Sequence, residues 1–338
     1  MADLTLDPFE QIRINPSLTA LPKADLHVHQ EETARLERIV AREQGRPPRD
    51  WQAWARRLCT ETVAGYGRLA GIYAPDATLA LEGTRGDDPE RLIDKMAAVL
   101  DEGASDGAVL MEVRFAAAGQ ALLRPDFMSL FREAERRVQG RYPRLRAEAI
   151  GLLRFVHEHE QLLMVEHQFA VCARAAKDGL AGVDFIVEPY DKEADPSLWE
   201  IVYRYAERAA NGGLGVAVHA GEFSRASLAA ALRTPGLQRI GHAVCAAHDP
   251  QLLDRLAQSH AAVECSLTCN VILGAVPSYE AHPIRRFVAC DIPVTLGTDL
   301  PVHTATTIGR EYAIAAAFPR KIAPLPGQAA GAGARVTR

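Results

Sequence analysis

Two histidines two residues apart, His27 and His29 in KADLHVHQ, are the first residues along this chain whose spacing could do chemistry. Side chains alternate across a strand, so residues i and i+2 point the same way, whereas on a helix they diverge by about 200°. Two imidazoles on one strand face can converge on a single metal ion. The spacing alone proves little. With 11 histidines in 338 residues, chance gives about 0.36 such pairs per chain. The chain holds a second pair, His157 and His159 in HEH. Read singly, either pair fits a structural or solvent-exposed role better than a ligand role.

The elements that must position these residues shift that balance. Short β-branched apolar runs alternate with helical patterns along the chain, and eight runs are predicted as strands. They are 20–28, 108–115, 145–155, 180–187, 214–219, 237–244, 261–267 and 292–297. Near-continuous apolar strands alternating with helices argue for parallel pairing with both faces covered. Several helices carry start and stop signals. Asp195-Pro196 opens one that Gly212 and Gly213 close, Asp249-Pro250 opens another, and Ser224 is a cap for a third. Eight βα repeats favour a (β/α)8 TIM barrel over an open doubly wound sheet. The expectation is one domain over 1–318, with extra helices inserted at 30–105 over one barrel end. The Gly/Ala/Pro-rich end, 319–338, reads as a disordered tail.

In such a barrel all strand carboxyl ends meet on one face, where active sites lie. His27 and His29 end the first predicted strand, His219 the fifth and His242 the sixth, while Asp299 follows the eighth. Segments from opposite ends of the chain would thus bring imidazoles and a carboxylate into one small volume. Neutral His and Asp suit Zn²⁺. Satisfied histidines at loop starts could explain any one of them, but explain all of them in register poorly. A metal lowers the pKa of a bound water toward neutrality. A nearby His can take its proton, and a carboxyl held protonated can give one to the leaving side. Glu222, in VAVHAGE, stands on the loop leaving the fifth strand. In isolation it reads better as a helix-start carboxylate favoured by the helix dipole. His242, in RIGHAV, is bracketed by Gly241 and Ala243, which would let substrate approach its ring closely.

Composition removes several other functions. Charged residues at 24% and hydrophobic residues at 48% are ordinary globular values, and a net charge of −5 with no basic run argues against nucleic acid. No stretch approaches about 18 apolar residues, so no membrane partner is expected. Six cysteines without CxxC or framework spacing read as reduced thiols in a cytoplasmic protein. Neither P-C-x-x-C nor G-x-x-x-x-G-K-[ST] occurs, which sets aside H-x-E zinc deaminases and nucleoside triphosphate hydrolysis. Glu112 and Arg114 share a face of the second strand and are expected to pair inside the barrel.

Taken together, the motifs PKADLHVH, MEVRF, HAGE, RIGHAV, LGTDLP and TTIGREY, ordered over about residues 20–315, resemble those of the adenosine deaminase family of the amidohydrolase superfamily. The resemblance implies zinc-dependent deamination with one Zn²⁺ per chain, held by His27, His29, His219 and Asp299. His242 would orient or deprotonate the metal-bound water, and Glu222 would protonate the ring nitrogen beside the attacked carbon. Ammonia would then leave from a tetrahedral intermediate.

The departures from the family pattern fall on substrate recognition. The family's TDDP places a second Asp against the purine N7, where this chain has Leu300. An unpaired buried N7 would cost about 1–3 kcal/mol, roughly 10–150-fold in affinity. Glu31 stands where a family Asp contacts a ribose hydroxyl, and Gln30 and Glu32 are also unusual. The glycine that meets the purine N3 is missing after the fourth strand, where Val187 or Glu188 stands. Helices that follow TTLxxEY in the family give way here to the Gly/Ala-rich end. Barrel surface near the first strand would then be under-covered, which leads us to expect a partner subunit (a homo-oligomer), lower stability or an altered end.

The expected substrate is a small amino-heterocycle, adenosine or a modified adenine nucleoside. Hydrolysis of a cyclic amide or another C–N bond stays open as a second reading, and a binding role on an inactive barrel as a third. Against the third, decay should not spare the chemistry positions while altering the pocket.

Overall fold

The fourth strand shows why the chain makes a barrel. GVDFIV is buried at every position, so neither of its faces can be left to solvent, and parallel strands with helices outside are the arrangement that covers both. In the computed structural model, which describes residues 8, 16–30, 33–74, 88–118, 120–155, 161–187 and 196–317, eight strands form one sheet in sequence order. They are β1 (Lys23–His29), β2 (Ala108–Ala116), β3 (Arg146–Phe155), β4 (Gly182–Val187), β5 (Gly215–Ala220), β6 (Leu237–His242), β7 (Ala262–Cys265) and β8 (Val294–Leu296). Every neighbouring pair is parallel, and a parallel bridge between Val28 and Asp299 brings the last strand back to the first. This is a (β/α)8 barrel. Each predicted strand overlaps its observed counterpart. β6 stops at His242 because His242 and Ala243 take positive φ, 73° and 52°, which ends extended pairing.

The helices begin where the caps require. Asp249 accepts from the backbone N–H groups of Gln251 and Leu252, with Pro250 in the first turn of Pro250–Ser259. Ser224 accepts from Ser227 N–H. The helix Pro196–Asn211 starts at its proline, while Asp195 lies outside the described residues, as do His157, His159 and 319–338.

Between β1 and β2 the chain forms helices Ala34–Glu43, Trp51–Glu61, Tyr66–Ile72 and Pro89–Ser105. The last packs directly against β2, as an ordinary crossover helix would, and Trp51–Glu61 meets the segments that follow β7 and β8. The insert therefore lies over the carboxyl ends of those strands. Ile308–Ala317 packs on β1, its Tyr312 hydroxyl accepting from Ala24 N–H, and Pro16–Thr19 packs on that helix.

Closure of the barrel depends on a tight contact. Asp299 N–H donates to His27 carbonyl (2.6 Å) and His29 N–H donates to Asp299 carbonyl (3.0 Å), while the Thr298 hydroxyl donates to Asp25 at 2.7 Å. A side chain at Gly297 would put its Cβ 2.4 Å from His27 Cβ and 2.9 Å from its carbonyl oxygen. Backbone cannot yield there, so Gly297→Ala is expected to destabilise the fold by about 1–3 kcal/mol. Thermal unfolding measures this; an unchanged Tm would refute the close-approach account of the seam.

Candidate active site and metal centre

His27 and His29 both face the barrel interior at the end of β1, because residues two apart on a strand share a face. His219 arrives from β5 and Asp299 from just beyond β8. All four are buried, and one nitrogen or oxygen atom from each lies within 4.8 Å of the others. Asp299 Oδ1 is 3.4 Å from His27 Nε2 and 3.3 Å from His29 Nε2. A tetrahedron of Zn–N bonds near 2 Å has edges of about 3.3 Å, so these separations suit such an ion. His27 Nε2 and His219 Nε2 are buried without hydrogen-bond partners. Two orphaned imidazole nitrogens facing a carboxylate are costly unless a cation joins them.

The opposite ring nitrogens are held by carboxylates. His27 Nδ1 meets Glu264 Oε2 at 2.6 Å and His219 Nδ1 meets Asp184 Oδ1 at 2.9 Å. An acceptor at Nδ1 keeps the proton there and turns the Nε2 lone pair inward, the tautomer that metal ligation requires. Arg114, fully buried, joins the two carboxylates: Nε donates to Asp184 (2.7 Å) and Nη2 to Glu264 (2.5 Å), while Nη1 donates to the Leu26 carbonyl. Burial raises the pKa of each carboxyl, but the His219 ring and Arg114 beside Asp184, and the Arg114 charge beside Glu264, outweigh it and hold both ionised.

The expected Glu112–Arg114 pair does not form. Glu112 pairs with Arg239 instead, because the inward carboxylates of β4 and β7 meet the Arg114 guanidinium across the barrel. Asp184 and Glu264 were missed in the sequence. Their signal was a lone acidic residue inside a buried apolar strand, GVDFIV and AVEC, which is tolerable only with a charged partner.

Glu222 and His242 lie beside this cluster. Asp299 Oδ2 is 4.0 Å from His242 Nε2, and Glu222 Oε1 is 3.8 Å from His242 Nδ1. Burial, then the Asp299 charge, pushes the Glu222 carboxyl up to about 8. Burial pushes His242 down to about 3. Among the described residues six non-glycines have positive φ, and His242, Ala243 and Asp299 are three of them; such strain gathers at functional sites. Gly241 lies against a candidate ligand: a Cβ there would be 3.0 Å from His27 Cε1, so its small size makes room for that imidazole.

The three recognition positions are not gathered in the same way. Glu31 lies outside the described residues, as does Glu188. Val187 ends β4 with its side chain in the main apolar core. Leu300 is buried in a separate apolar cluster with Trp51, Trp54 and Val302. That cluster joins the insert to the residue after Asp299.

A family model described as adenosine deaminase matches residues 87–320, more than half of the chain. The chain belongs to the adenosine deaminase family. Among curated relatives it is similar to an adenine deaminase of Chelativorans sp. (strain BNC1), 41% identical over 111 residues, 32% of this chain and 34% of that one. It is also similar to an adenosine deaminase of Erwinia tasmaniensis, 41% identical over 110 residues, 32% of this chain and 33% of that one. The matched segments thus span about a third of the length of these relatives. A solved amidohydrolase from Burkholderia ambifaria with bound zinc shares the fold, with TM-score 0.66 and 18% identity over 89% of this chain and 82% of that one. In this chain the His/Asp cluster is a candidate metal site. No helix among the described residues is long and apolar enough to cross a membrane.

The carboxylates behind the imidazoles give a test. Asp184→Asn is expected to weaken zinc affinity on the order of 10–100-fold, measured by chelator competition. Unchanged affinity would mean that Asp184 does not set the state of His219.

Proposed function

We propose that this chain is a zinc-dependent hydrolytic deaminase that releases ammonia from adenosine, a modified adenine nucleoside or a related aminopurine. The observation that carries this reading is the pair of partnerless ring nitrogens, His27 Nε2 and His219 Nε2. They converge with His29 and Asp299 beside a carboxyl whose pKa is raised to about 8. His27, His29, His219 and Asp299 would hold the ion. When bound, zinc supplies Lewis acidity and a nucleophile at neutral pH.

The chain's own groups account for the remaining chemistry. Glu222 is protonated near neutrality and can give its proton to the ring nitrogen beside the attacked carbon. Water adds to that carbon; one of its protons goes to the exocyclic amino group, which leaves as ammonia, and the other returns to Glu222 as the carbonyl forms. His242 stands where it can orient the attacking water. The relatives' names, adenine deaminase and adenosine deaminase, support an aminopurine.

Leu300 argues for a substrate that asks little of the protein at N7. Its side chain cannot hydrogen-bond, and it is anchored among Trp51, Trp54 and Val302. A 7-deazapurine nucleoside, or another relative of adenosine without that acceptor, suits this apolar wall, and Glu31 and Val187 are proposed as its other contacts. The proposed compartment is the reducing cytoplasm, which the six free thiols support.

The test is ammonia release from the zinc-loaded protein across aminopurines, pterins and nucleosides. Release from at least one adenine-type compound is expected, falling by about 10²–10⁴-fold in Glu222→Gln. Silence across the panel with one zinc bound per chain would count against deamination, and a carbonyl product without ammonia would indicate cleavage of a different C–N bond.

A further inference from the structure

The Asn270 carboxamide occupies the space between the two residues proposed to handle water and proton. Its Nδ2 lies 3.2 Å from Glu222 Oε1 and 3.1 Å from His242 Nδ1. Its Oδ1 lies 3.1 Å from His282 Nε2, and His282 Nδ1 meets the backbone N–H of Ile284 at 3.2 Å. Asn270, His242 and His282 are all buried, so water competes little for the contacts among them.

Donor and acceptor roles pass along this array from one fixed end. A backbone N–H can only donate, so His282 Nδ1 is the bare nitrogen of a neutral ring. Burial pushes His282 down to about 3, which keeps the ring neutral at physiological pH. Its single proton therefore sits on Nε2 and is donated to Asn270 Oδ1. That fixes which way the carboxamide faces. The two hydrogens on Nδ2 go to Glu222 Oε1 and to His242 Nδ1, and both of those atoms must accept. With Nδ1 accepting, neutral His242 carries its proton on Nε2, the atom 4.0 Å from Asp299 Oδ2.

We propose that Asn270 and His282 are positioning residues that set the tautomer of His242, so that Nε2 presents an N–H to the oxygen attacking the substrate. This role rests on the deaminase reading above. An imidazole protonated at Nε2 has no lone pair there with which to remove a proton, so His242 orients the attacking water and does not deprotonate it. The same carboxamide occupies Glu222 Oε1, leaving Oε2 to carry the proton that the ring nitrogen receives. One amide thereby gives a histidine and a carboxylic acid complementary states.

The direct test is ¹⁵N NMR of the histidine-labelled, zinc-loaded full chain, with the His242 signals assigned by their loss in His242→Gln. The expected spectrum shows His242 with a pyridine-type Nδ1 and a pyrrole-type Nε2. Asn270→Asp removes both donors and should exchange these two types, with kcat lower by about 10²–10³-fold and KM within about threefold. His282→Gln keeps an N–H donor toward Asn270 and should hold kcat within about threefold of wild type, whereas His282→Leu should lower it about tenfold. A wild-type spectrum with the proton on His242 Nδ1, or nitrogen types unchanged in Asn270→Asp, would overturn the proposal. The spectrum needs no substrate, so a failure there is distinguishable from a failure of the ammonia assay.

Discussion

One guanidinium at the centre of the barrel sets the state of the candidate metal centre. Arg114 reaches Asp184 with one nitrogen and Glu264 with another, and each carboxylate holds the Nδ1 of an imidazole. Without that charge, two buried carboxylates would be driven toward protonation, and the two rings would lose the acceptors that turn their Nε2 atoms inward. Removing one member of such a buried set costs about 3–5 kcal/mol, because the others are left uncompensated. The arrangement is therefore a unit spread over β1, β2, β4, β5 and β7.

The second constraint is mechanical. β8 can deliver Asp299 to this unit only by approaching β1 at Gly297, and Asp299 adopts φ 59° to exchange backbone hydrogen bonds with His27 and His29. Closing the barrel and completing the set of candidate ligands are the same event. The TTIGREY segment supports that seam from outside. The Glu311 carboxylate accepts from Thr306 and from the Thr268 N–H, while Tyr312 binds Ala24.

How much of this could be read from the sequence depends on whether a side chain's meaning is local. The eight strands were legible because both of their faces are buried, which leaves apolar runs such as AVLMEVRF and GVAVHA. His27, His29, His219 and Asp299 were legible because each stands at or just beyond a strand's carboxyl end, and barrel geometry gathers those ends. Asn270 and His282 were not, since their roles exist only through hydrogen bonds made across the fold. The contact of Gly241 with His27 was hidden for the same reason, since the two stand more than two hundred residues apart in the chain. Leu300 was recognised as a departure, but its packing against Trp51 and Trp54 needed the folded insert to be seen.

Every role proposed for this site requires four side chains to share one cation, and X-ray absorption at the zinc edge of the loaded protein measures that most directly. The expected result is one zinc per chain ligated by three imidazole nitrogens at about 2.0–2.1 Å and a carboxylate oxygen at about 2.0–2.2 Å. A sulfur ligand, or fewer than three imidazoles around the ion, would contradict it.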